Sequence, residues 1–502
     1  MHHCLYLVST QKGWGRDKMY EKNLTMLADF YEFTMMQGYF LNGMHKQVAV
    51  FDLFFRKNPF DNGFSITAGL EQAIEYIKNL KFSEVDLDFL RQKGIFREEF
   101  LEYLENFKFT GDVYAIPEGT VVFPHEPLMR ITAPIIEAQL LESALLNIIN
   151  HQSLIATKAV RVVNAGAGDK IMEFGIRRAQ GPDAAIYGSR AAMIGGCAST
   201  SNVEAARRFD LPLSGTMAHS WVMSFTDELS AFREYAKLYP DSFILLIDTY
   251  NTLESGMPNA LKVFSELRDA GATPHLYGVR LDSGDLGYLS KCVRAMLDEA
   301  GFTDAIISAS SDLDEYLIAN LKAEGAKITH WGVGTKLITS TDCPAFGGVY
   351  KLAAEIDEGG SVAHKIKLSE NPDKITNPGI KTVFRLYDRK TGKVKADLIS
   401  LHDEVIDTEK DLTIFDPVST WLRMTLKGGE YFIKDLLVPI FINGECVYSS
   451  PSVMEIAEFS KQDQLTLWDE NRRLFNPNLL PIDLSEKLFN LKLEMIFEFD
   501  VK

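Results

Sequence analysis

The chain has 502 residues, 46% of them apolar, and carries 69 acidic against 52 basic side chains for a formal charge of -17. That length exceeds what one hydrophobic core fills, so two or three domains are expected, and the apolar content excludes a disordered chain. The negative charge repels nucleic acid and anionic lipid at long range, leaving room only for a local basic cleft that takes a small anion.

The opening MHHCLYLVSTQKGWGRDK has neither a full signal-peptide core nor a small-residue cleavage site, and residues 1–18 read as an added or irregular leader before Met19. From Leu27 to Phe40 the large side chains recur with helical spacing, and Gly38 with Asn42-Gly43 marks the end before a strand at 48–55. Helices fit 69–79 and 97–106, and 109–134 breaks into short β-rich pieces cut by glycines and prolines. A long, mostly apolar helix over 135–160 links this region to the next.

Beyond residue 160 strands and helices alternate. Strands are predicted at 162–165, 184–187, 211–216, 243–248, 275–281, 305–308 and 328–332, with helices at 201–209, 226–239, 258–270, 286–300 and 312–324. Such alternation is what βα units require, and polar residues at the strand ends favour an irregular or incomplete TIM-like α/β barrel over an open doubly wound sheet. Past residue 360 the segments VAHKIKLSE, TVFRLYD and KVKADLISL read as strands joined by the turns ENPD and RKTG. The expected division is therefore 24–134 as N-terminal helices and a β-rich domain, 135–160 as the linking helix, and 161–358 as the barrel. Residues 359–412 would complete the sheet domain, and 413–502 would be a helical and loop extension. The cysteines Cys4, Cys197, Cys292, Cys343 and Cys446 are scattered without a CxxC pair, which favours reduced thiols in a cytoplasmic protein. No apolar run reaches transmembrane length.

Several stretches can carry chemistry. In RLDSGDL, 280–286, two carboxylates flank a small Ser-Gly pair between a strand and a helix, placed to reach a cation or a sugar diol. The alternative is a helix cap, with Asp282 or Ser283 as the capping residue, Asp285 in the first turn and Arg280 paired to an aspartate. The Arg280 fork suits a substrate carboxylate or phosphate. In WGVGTKL the glycines Gly332 and Gly334 with Thr335 and Lys336 offer free N–H groups to a phosphate, or simply a tight turn. GGCASTSN, 195–202, has the same two readings. In EFGIRR, Phe174 and Arg177 either stack on and neutralise an aromatic acid or serve as a core ring and a solvated basic residue. His219 in SGTMAHSW is a core histidine or a reactive one, and Asp248, ending the apolar run FILLID, is placed to orient its imidazole.

DFYEFTMMQGYF (29–40), EFGIRR (173–178), SGTMAHSW (214–221), DTY (248–250), GVRLDSGDL (278–286) and WGVGTKL (331–337), in this order, resemble the nicotinate phosphoribosyltransferase family over nearly the whole chain from about residue 24. The resemblance implies an irregular α/β barrel with an additional, mainly β domain built from both ends of the chain. It implies that nicotinate is joined to phosphoribosyl pyrophosphate, giving nicotinate mononucleotide and pyrophosphate, with ATP hydrolysed through a phosphohistidine at His219 and Mg²⁺ bridging the polyphosphate. By the same resemblance Phe174 stacks on the pyridine ring, Arg280 and Arg177 face its carboxylate or a phosphate, and Tyr31, with Asp29 close by, covers the ring from the partner of a homodimer with shared sites. Asp282 and Asp285 reach the ribose, Gly332, Gly334 and Thr335 hold phosphate, and Asp248 supports His219. Nicotinamide phosphoribosyltransferases resemble this chain but carry an aspartate at about the position of Ser201; serine there favours the acid over the amide. The competing readings are a nicotinamide enzyme, another barrel enzyme such as an aldolase or a quinolinate-type phosphoribosyltransferase, and a binding protein without turnover.

Overall fold

A computed structural model describes residues 23–498, so the expected leader over 1–18 lies outside the described residues. The chain divides into two compact units, one holding described residues 155–344 and the other 23–154 with 345–498.

The first unit is an α/β fold built on one curled, half-barrel sheet. Its six strands lie in the order Ser199–Thr200, Lys170–Glu173, His330–Val333, Ile306–Ser311, Leu276–Leu281 and Ser242–Leu246, and every pairing is parallel. Parallel neighbours need crossovers, and helices such as Met257–Asp269, Leu286–Glu299 and Glu315–Ala323 supply them. Because both faces are covered, the strands read as apolar runs, with Leu245, Val279, Leu281, Ile307, Ala309, Trp331 and Val333 all buried. Gly278 is required by close approach, since a Cβ there would stand 2.2 Å from the Ile306 carbonyl oxygen on the next strand.

Two expected strands are helical instead. Residues 162–165 finish the helix Glu142–Ala165, and 184–187 lie inside the helix Pro182–Ile194. Short apolar runs carry no period long enough to separate the two states, and the proline in the first turn was the helix signal. Of 211–216, only Leu213 pairs, through a single bridge to Thr200.

The second unit contains two larger antiparallel-rich sheets. The seven-stranded sheet runs Val362–His364, Gly348–Ile356, Val48–Phe55, Met129–Pro134, Asp112–Ala115, Val438–Ile442 and Glu445–Cys446, so both ends of the chain contribute. The other holds Arg423–Leu426, Leu412–Phe415, Ile482–Leu484, Val394–Leu401, Lys381–Asp388 and Tyr431–Asp435. Within 359–412, Val362–His364 joins the first of these sheets while Lys381–Asp388 and Val394–Leu401 join the second, and 413–498 adds short strands to both sheets among its helices and loops. Its helices are Val453–Leu465 and Glu486–Glu498. The barrel's end also moves, because Gly348–Ile356 pairs along Val48–Phe55. Among the described residues no helix is long and apolar enough to cross a membrane.

Candidate active site

In the first unit, polar side chains gather where the parallel strands end, the usual location of a site in such sheets. Arg280 is the hub. Its Nε donates to Ser310 Oγ at 2.7 Å, Nη1 to Thr216 Oγ1 at 2.6 Å and to the Met217 carbonyl at 3.3 Å, and Nη2 to Asp282 Oδ1 at 2.8 Å. The Ser310 hydroxyl also donates to Asp282 Oδ1. Burial pushes the Asp282 carboxyl up, but the Ser310 hydroxyl, the Arg280 guanidinium and His219 outweigh it and hold the group below the usual aspartate range.

His219 opens the short helix His219–Met223 with its side chain 40% exposed. Nδ1 lies 3.1 Å from Thr249 Oγ1, and Nε2 lies 3.6 Å from Asp282 Oδ2. The expected contact from Asp248 to the imidazole is absent. Asp248 instead accepts the Asp282 backbone N–H at 2.8 Å and the Ser283 hydroxyl at 2.7 Å through Oδ2, while its Oδ1 is buried without a hydrogen-bond partner. In the loop after Ser242–Leu246, Thr249, one residue further, meets the ring, so Asp248 shapes the 280–286 turn and Thr249 meets the histidine.

The capping alternative for the second aspartate is realised with a shift. Asp285 itself is the N-cap of Leu286–Glu299, accepting the Tyr288 N–H at 2.9 Å, and Gly284 before it sits at φ +78°, where a side chain would strain the turn. One Asp285 oxygen is thereby committed to the helix, which weakens its expected role at the ribose.

Phe174 follows Lys170–Glu173 and lies half-buried against the glycines of the neighbouring strand end. A Cβ on Gly332 would stand 2.6 Å from the Phe174 ring, and one on Gly334 would stand 3.0 Å from the Phe174 carbonyl oxygen. Packing of Phe174 therefore accounts for both glycines, independently of any phosphate. Thr335 begins the one-turn helix Thr335–Ile338 after Gly334, and Lys336 is paired with Asp314 at 2.6 Å. Arg177 stands exposed on the turn Ile176–Arg178. Ser201 donates its backbone N–H to the Glu173 carbonyl at 3.0 Å, and its hydroxyl makes no hydrogen bond among the described residues.

Asp29 and Tyr31 belong to the other unit, at the start of Phe30–Leu41. There Ser143 donates to Asp29 Oδ2 at 3.1 Å, and burial followed by the Glu142 carboxylate pushes the Tyr31 hydroxyl up. Thr216, Thr249 and Ser310 escaped the sequence reading as individual residues. The first two lie inside quoted motifs, but Ser310 sits in an unremarkable strand, and no signal marked it.

A family model described as the nicotinate phosphoribosyltransferase (NAPRTase) family matches residues 170–354. Models of that family's N-terminal and C-terminal domains match 26–150 and 380–492. The nicotinate phosphoribosyltransferase of Bacillus subtilis (strain 168) is 47% identical over 478 residues, covering 95% of this chain and 96% of its own. The crystal structure of human nicotinic acid phosphoribosyltransferase superposes with a TM-score of 0.79 at 29% identity, over 93% of this chain and 99% of that one. A nicotinate-nucleotide pyrophosphorylase from Pyrococcus furiosus shares the fold, with a TM-score of 0.67 at 22% identity over 88% and 96% of the two chains.

Proposed function

The chain belongs to the nicotinate phosphoribosyltransferase family, and from that premise we propose how its residues divide the reaction. The enzyme is an ATP-dependent nicotinate phosphoribosyltransferase of NAD biosynthesis: it joins nicotinate to phosphoribosyl pyrophosphate and releases nicotinate mononucleotide and pyrophosphate. The observation that carries the assignment of roles is the chain of contacts from Arg280 through Asp282 to His219.

His219 accepts the γ-phosphoryl group: a nitrogen–phosphorus bond forms as the bond to the bridging oxygen of ADP breaks, and water later removes the phosphoryl group. Asp282, kept ionised by Arg280 and Ser310, faces the imidazole and the ribose hydroxyls. Arg280, with Arg177, receives the substrate carboxylate or a phosphate, and Phe174 stacks on the pyridine ring. Ser201 donates to the nicotinate carboxylate, where an aspartate would repel it. Backbone N–H groups at Gly332, Gly334 and Thr335 serve phosphate, and Asp285 adds its free oxygen beside the ribose. Tyr31 and Asp29 act from the partner subunit of a homodimer.

Family membership implies Mg²⁺ alongside ATP. No group of three or more His, Cys, Asp or Glu is clustered to hold a metal among the described residues, yet Asp248 Oδ1 is a buried carboxylate oxygen without a partner. Mg²⁺ on polyphosphate substrates needs only one or two carboxylates, so Asp248 and Asp282 fit as the protein's share. A cation held there would supply neutralisation of the polyphosphate charge.

The test is product analysis with nicotinate and nicotinamide in parallel, with and without ATP. Nicotinate mononucleotide is expected, with a preference over the amide of at least about 100-fold in kcat/KM; equal turnover of both pyridines removes the acid assignment. Mixing inactive Tyr31→Ala and His219→Ala chains should restore partial activity once subunits exchange, and failure despite demonstrated heterodimers removes Tyr31 from a shared site.

A further inference from the structure

Glu173 closes the strand Lys170–Glu173 and is fully buried. Among the described residues no cation pairs with its carboxylate. One oxygen accepts the Gly175 backbone N–H, and the other accepts the Ser189 hydroxyl at 2.8 Å and the Thr200 hydroxyl at 2.6 Å. A buried carboxylate is tolerated when donors fill its lone pairs, and packing alone at a strand end is met more cheaply by an apolar side chain. What the carboxylate adds is a tie between two loops. On one side, Gly175 begins the turn that follows Phe174, in a space so tight that a Cβ would stand 2.5 Å from Ile338 Cβ.

On the other side stands Thr200, also fully buried. Its hydroxyl is used twice, donating to Glu173 and accepting the Asn202 backbone N–H at 3.0 Å. Ser201 lies between these two anchored residues and gives its own N–H to the Glu173 carbonyl. Asn202 is fixed in turn, donating to Ser189 Oγ at 3.2 Å and capping the helix Val203–Phe209 through Ala205 N–H, also at 3.2 Å. The 200–202 segment is therefore held on both sides of Ser201 while the Ser201 hydroxyl is left uncommitted.

We propose that Glu173 and Thr200 are positioning residues that fix the Ser201 hydroxyl relative to the Phe174 turn and so set the preference for a pyridine carboxylate. This inference rests on the pocket assigned above to Phe174 and Ser201.

Thr200→Val removes the shared hydroxyl at nearly constant volume, and Thr200→Ser retains it. The first is expected to raise KM for nicotinate about tenfold, with kcat, KM for phosphoribosyl pyrophosphate and ATP-dependent labelling of His219 within about twofold of wild type. Thr200→Ser should return KM to within about twofold, and Thr200→Val combined with Ser201→Ala should cost no more than Ser201→Ala alone, because the threonine acts through the serine. If Ser201→Ala raises KM for nicotinate and Thr200→Val does not, the inference fails while the pocket stands. Equal impairment by Thr200→Val of KM for both substrates and of kcat also overturns it, since that is the mark of general distortion. An unchanged KM in Ser201→Ala removes the pocket reading and the inference with it. Should Thr200→Val not fold, Glu173→Gln offers one acceptor oxygen to three donors at constant volume. It is expected to raise the same KM at least about threefold, and an unchanged KM overturns the proposal.

Discussion

Asp282 at a strand end of the parallel-sheet unit and Glu32 on the first helix of the antiparallel unit are both carboxyls withdrawn from water, yet they settle on opposite sides of their ordinary values. For Asp282 burial pushes up, but a hydroxyl, a guanidinium and an imidazole prevail and the group is held low. For Glu32 burial again pushes up, and the Ser143 hydroxyl and the Asp29 N–H pull back while Glu142 and Asp29 add negative charge; among the described residues no cation joins them, and the carboxyl rises to about 7. The partner, more than the depth, decides the charge. The parallel-sheet unit keeps a ready anion beside a nucleophile, whereas the helix of the other unit keeps an acid that changes charge near neutrality.

Removing the nucleophile breaks the active half of this comparison most completely. With γ-labelled ATP and Mg²⁺, wild-type protein should take up acid-labile, base-stable label, and His219→Ala should take up none. Its ATP-coupled rate should fall by about 1,000-fold or more, leaving slow uncoupled transfer. Label persisting in the alanine variant moves the phosphoryl acceptor elsewhere.

Arg280→Lys comes next, because it keeps the charge beside Asp282 and removes the fork. A lysine cannot reach Ser310, Thr216 and Asp282 at once as the guanidinium does. Loss of a charge-assisted anion contact costs about 2–5 kcal/mol, so kcat/KM should fall by roughly 30-fold to several-thousand-fold in a folded protein. Near wild-type kinetics would confine Arg280 to holding Asp282.

These large effects fall on residues that the sequence made visible. Asp248, Arg280 and Asp282 end apolar strands, where a charged side chain has no packing reason to be, and His219 stands in a distinctive run. Thr249 and Ser310 were not legible, since a hydroxyl carries no pattern until tertiary structure shows what it faces. The same limit applied to the fold. Val48–Phe55 and Leu276–Leu281 are long enough to declare themselves, whereas Leu412–Phe415 and Arg423–Leu426 have four residues each, too few to show a period, and are defined by their pairing with each other. The runs at 162–165 and 184–187 were apolar enough for either state; Pro182 in the first turn marks the second as helical, and the first is decided by the helix that it ends.

Ser201→Asp sharpens the comparison from within the site, by placing a carboxylate against the position proposed for the carboxylate of nicotinate. Nicotinate kcat/KM should fall about tenfold or more through repulsion of the substrate carboxylate. An unchanged value in steady-state assays would mean that the serine does not face the acid.

The smallest effect belongs to Glu32 and appears in stability. The unfolded chain releases this proton near the ordinary value of 4.5, whereas the folded chain holds it to about 7. Between those values the folded state binds more protons than the unfolded state, so the contribution of Glu32 to stability falls as pH rises through that window and is fully lost above it. Glu32→Gln cannot ionise and still fills the space beside Ser143. Relative to wild type it should therefore gain stability from pH 4.5 to 8, by about 1–3 °C in Tm given the size of the chain. Thermal melts of both proteins across that range measure the difference directly. A Tm difference independent of pH would mean that Glu32 is ionised in the fold like Asp282, with a compensating partner, and the contrast between the two carboxyls would disappear.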